Sequence, residues 1–73
     1  MHDTRLTDLD RASGRAFDTM FLTMMIKHHE GAIDMAESEL RHSSYGPTKD
    51  LASDIIRSQT AEIAEMRAML EAR

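Results

Sequence analysis

From Phe17 to Leu40 apolar side chains recur every three or four residues with no proline among them, the pattern of an amphipathic helix. At about 100° per residue, Phe17, Asp18, Phe21, Leu22, Met24, Met25, His28, His29, Ala32, Ile33, Met35, Ala36, Glu39 and Leu40 fall on one half of it, and Thr23, Lys27, Glu30, Asp34 and Glu37 fall opposite. With Ser13 as cap and Gly14 in the first turn, the spacing predicts a helix over about 14–42, roughly 40 Å long. Gly31 lies at the border of the apolar half, at a cost of about 1 kcal/mol in helix propensity relative to alanine. Ser43-Ser44-Tyr45-Gly46-Pro47 breaks the pattern, Pro47 suits the first turn of a following helix, and Thr48 can cap it. The second helix is expected over about 48–72, with Leu51, Ala52, Ile55, Ile56, Gln59, Glu62, Ile63, Met66, Met69 and Leu70 on its apolar stripe.

A short connection between long helices makes them antiparallel neighbours, so residues 14–73 read as an all-α helical hairpin. Both stripes are wider than one neighbouring helix covers, which predicts that two hairpins pair into a four-helix bundle. Residues 1–13 are more polar, with Leu6 and Leu9 behind Thr4, and read as an N-terminal arm or short helix.

Composition narrows the function. A chain of 73 residues buries only about 60% of the surface it exposes when unfolded, so a partner is expected. There is no cysteine, which leaves nitrogen, oxygen and thioether as the available metal donors. Thirteen acidic against nine basic side chains, a formal charge of −4, disfavour nucleic acid as partner. The longest apolar run, Met24 to Ile26, is far too short to insert across a membrane, and no signal-peptide core follows Met1. Seven methionines against three aromatic residues are either an adaptable core or a supply of soft metal ligands.

The histidine pair carries the candidate chemistry. Met24 and Met25 precede His28 and His29 at the spacings that bring side chains together on one helix face, and imidazole with thioether suits a soft monovalent ion such as Cu(I). Met35, two turns beyond His28, and Met66 on the second helix either complete such a site or pack as core. Glu62 and Gln59 point inward among apolar neighbours, and a buried carboxylate needs a partner, for which the histidine pair is available. The competing reading is a core histidine hydrogen-bonded to Glu62, Gln59 or Asp18, in a structural bundle whose polar groups fix register. Asp18 either orients a histidine or is an early-helix acid favoured by the helix dipole. His2 and His42, near an end and a loop, are expected to be exposed. Glu-x-x-His occurs once, at Glu39-Leu40-Arg41-His42 beside the turn, and not on two helices as a di-iron carboxylate bundle requires; no HExxH motif, glycine-rich phosphate loop or nucleophile constellation occurs, so no enzymatic activity is expected.

The combination Met-Ile-x-His-His-x-Gly-Ala-x-x-Met-Ala from Met25 to Ala36, with the later Gln-x-x-Glu-Ile-x-x-Met from Gln59 to Met66, resembles a bacterial family catalogued as domain of unknown function 305. The likeness runs from Ser13 to Leu70 and is to the second of two hairpin repeats. It implies a ferritin-like four-helix bundle, completed here by a homodimer or by the missing first repeat. Some members resemble periplasmic or secreted copper-binding proteins. That implies Met25, His28, His29 and Met35 as ligands of Cu(I), Met24 and Met66 as further donors, and Asp18, Gln59 and Glu62 as side chains orienting the ligands from behind.

Overall fold

The computed structural model describes the backbone of residues 4–72, together with the side chains of Arg11 and residues 13–72. His2 lies outside the described residues, as do the side chains of Leu6 and Leu9. Two helices, α1 (Thr4–His42) and α2 (Gly46–Glu71), pack as an antiparallel hairpin in a rod 66 × 17 × 15 Å. No strand is present among the described residues. The ferritin-like pairing into a bundle lies beyond a single hairpin.

Helix α1 has 39 residues and starts well before Ser13, passing through Gly14 without interruption. It ends with Arg41, a cation that suits the negative end of the helix dipole, and His42. His42 is exposed, and its Nδ1 donates back to the Ser38 carbonyl at 2.9 Å. The turn is only Ser43–Tyr45, tied by Ser43 N–H to Glu39 O at 2.8 Å and Tyr45 N–H to the Ser43 hydroxyl at 3.1 Å. Helix α2 has 26 residues, with proline in its first turn as expected, but Tyr45 rather than Thr48 occupies the N-cap position and supplies no side-chain cap.

The seam between the helices follows one line on each. On α1 it is Leu22, Ile26, His29, Ile33, Ala36 and Leu40, and on α2 Ala52, Ile56, Gln59, Ile63, Met66 and Leu70, both stepping by four and three residues. Leu22, Ile26, Ala36, Ala52 and Ile63 are the buried apolar core, and the remaining apolar members are half-buried. Ile26 was not on the expected apolar half, whereas Phe17, Phe21, Met24, His28 and Met35 were and are exposed. The physical reason is arc width: α1 is apolar around nearly half its circumference, and one neighbour covers only an edge of that arc, including Ile26 just beyond it. Two unlike faces flank the seam. One carries Glu30 and Arg67, which bridge the helices at 3.2 Å. The other holds an apolar groove of about 230 Å³ lined by Ala32, Met35, Leu51 and Ile55 among others.

Candidate functional site

The seam places one polar side chain in the core. His29 is 8% exposed, and its Nε2 donates to Glu62 Oε1 at 2.5 Å across 33 residues of chain. The expected histidine–glutamate pairing is thus present, and it is His29 that makes it. Glu62 does not point wholly inward: its side chain is 51% exposed, and it reaches into the seam from the rim. The carboxylate therefore keeps contact with water while fixing the imidazole. His29 Nδ1 is buried and has no hydrogen-bond partner among the described residues. In the tautomer that donates Nε2–H to Glu62, Nδ1 carries the ring's lone pair.

The antiparallel register set by His29 and Glu62 puts Met66 opposite Met25, one turn along from the pair. Both methionines are half-buried. Met25 also lies four residues before His29, on the same helix side. His28 faces elsewhere. It is exposed, its ring centroid is 6.4 Å from that of His29 with the planes at 63°, and it makes no hydrogen bond among the described residues. Met24, one turn before His28, is exposed as well, and Met35, the most open of these donors at 74%, lies about 10 Å along the axis from His28. The six expected donors are therefore split between the seam (Met25, His29, Met66) and the open face (Met24, His28, Met35).

The three expected orienting residues also separate. Glu62 holds His29, whereas Gln59 is half-buried in the seam and makes no hydrogen bond among the described residues. Asp18 lines a groove with Phe21, Leu22 and Met69, about 15 Å along the axis from His28. Among the described residues no group of three or more His, Asp or Glu side chains is arranged to hold a metal ion. The Glu30–Arg67 bridge was not anticipated: Glu30 falls on the polar half of α1, and its side chain remains half exposed in the bridge. The register that joins His29 to Glu62 also brings these neighbours within reach.

No helix among the described residues is long and apolar enough to cross a membrane. No solved structure matches the chain. Among curated proteins, Uncharacterized protein L153 of Acanthamoeba polyphaga mimivirus is similar, 41% identical over 56 residues that make up 77% of this chain and 37% of that protein. The chain thus spans well under half the length of this relative. The profile of the family described as Domain of unknown function (DUF305) matches residues 1–70, and to that family the chain belongs.

Proposed function

We propose that the hairpin binds a soft monovalent metal ion, most simply Cu(I), as half of a ferritin-like four-helix bundle, and that it acts by holding the ion rather than by catalysis. One observation carries the reading: His29 gives its Nε2–H to a carboxylate and keeps a buried Nδ1 with no partner. Metal-binding imidazoles are commonly held this way, one nitrogen oriented by a carboxylate and the other presenting its lone pair to the ion. Met25 and Met66 supply the thioethers nearest in register, and a donor set of one imidazole and two thioethers favours Cu(I) or Ag(I) over hard cations. His28, Met24 and Met35 form the outer donors.

The test is an anaerobic Cu(I) titration against a chromophoric competitor, with thermal unfolding followed in parallel. Wild type should bind and its melting temperature should rise with Cu(I) or Ag(I). Met25→Leu and Met66→Leu, which keep volume but remove sulfur, should each weaken binding. Equal affinity in wild type, Met25→Leu, Met66→Leu and His29→Leu would sink the reading.

A second reading is favoured by the same bond seen alone. His29–Glu62, with Glu30–Arg67 beside it, holds the helices in one register, which is the work of a structural or interaction bundle. On that reading the melting temperature does not respond to the metal.

A further inference from the structure

The tie between His29 and Glu62 keeps the buried imidazole from swinging out of the seam to meet an ion in solution. A metal site built on it therefore needs a way in. The chain neighbours of His29 stand about 100° to either side of it on α1, and they are unlike. Glu30 is bridged to Arg67 at 3.2 Å, and with Ile26 buried one turn away on the same side, that edge of the seam is closed. His28, on the other edge, is exposed and makes no hydrogen bond among the described residues. Its ring centroid lies 6.4 Å from that of His29, within the sweep of a side chain that nothing ties down. It lines a shallow groove of about 320 Å³ with Lys27, Gly31, Ala32 and Met35. Room beside the ring is kept by Gly31, where nothing lies within 4 Å of the place a Cβ would take.

Between His28 and His29 in angle stands Met25, half-buried and one turn from both. The soft donors thus run inward from solvent, with His28 exposed, Met25 half-buried and His29 buried. We infer that His28 is the port of the seam site: it takes up the soft monovalent ion from solution, yields it to Met25 and His29, and has no part in the resting coordination. The inference rests on the metal reading of the seam and adds to it how an ion reaches a buried nitrogen. Neutral thioether and imidazole donors replace one another on a soft ion one at a time, so a neighbouring donor lowers the barrier to hand-over in both directions. A port therefore speeds loading and release alike and leaves the affinity where it was.

Anaerobic stopped-flow transfer of Cu(I) between the full chain and a chromophoric chelator tests it, with equilibrium affinity measured on the same samples. His28→Leu should slow both loading and removal by about tenfold or more and leave the affinity within about twofold of wild type. His28→Gln, polar but without a soft donor, should behave alike. His28→Met, which restores a soft donor at the same place, should recover the wild-type rates, a rescue that a purely structural role of the ring would not give. Unchanged rates in His28→Leu and His28→Gln would overturn the inference. So would a loss of affinity as large as that of His29→Leu, which makes His28 a resting ligand. Both results leave the metal reading standing, whereas a wild-type chain that takes up no Cu(I) removes the port and the metal reading together.

Discussion

His29 and Glu62, 33 residues apart in the chain, meet at 2.5 Å across the hairpin, and the member that is buried is the imidazole. This asymmetry orders the cost of removing each partner. Glu62→Ala leaves both ring nitrogens without a partner in the core, whereas His29→Leu fills the core with an apolar side chain and leaves a carboxylate that water can solvate. We expect Glu62→Ala to cost about 1–3 kcal/mol and His29→Leu less. Glu62→Gln, which keeps an acceptor oxygen, should fall between wild type and Glu62→Ala. Urea unfolding of the variants checks the order, and a larger loss in His29→Leu than in Glu62→Ala would refute it.

The start of α2 can be improved. Tyr45 sits at the N-cap position with φ −95° and ψ 116°, a conformation a capping residue adopts, but provides no side-chain hydrogen bond. Tyr45→Asp should stabilise the hairpin by about 1 kcal/mol, since Asp both caps and complements the helix dipole and the exposed ring it replaces contributes little packing. The expected rise in melting temperature is roughly 4–8 °C for a chain of this size.

Gly31→Ala tests helix propensity alone. Within the hairpin the added methyl meets nothing, so the substitution should give about 1 kcal/mol of stability. A thermal melt should show the gain as a rise in melting temperature of roughly 4–8 °C.

Arg67→Ala removes a bridge whose side chains are 59% and 50% exposed, so the expected loss is below about 1 kcal/mol. It should shrink further in 1 M salt, where the screening length is about 3 Å. The comparison of urea midpoints in low and high salt measures both.

Much of the hairpin was legible in the residues themselves. Pro47 beside two serines and a glycine marked the turn, and Glu62 on an apolar stripe demanded a partner that only the histidine pair supplied at the right height. The edge of the arc that α2 covers was not legible. A helix apolar around half its circumference offers several equivalent contact lines, and the choice rests on α2, whose seam through Ala52, Gln59 and Ile63 meets the line of Leu22, Ile26 and His29. That choice buried Ile26, exposed Met24 and Met35, and sent adjacent histidines to different surroundings. The start of α1 at Thr4 was obscured by Ser13-Gly14, which has the look of a helix start but sits within the helix.

The three-residue turn sets the order in which the hairpin assembles. Bridging so few residues costs little loop entropy, so contacts beside the turn, between Leu40 and Ala36 on α1 and Ala52 on α2, form early. The His29–Glu62 bond closes a far longer loop and belongs to the late stage. Substitutions near the turn should therefore slow refolding, while loss of the bond should chiefly hasten unfolding, so the pair acts as a kinetic latch on a zipper that starts at the other end.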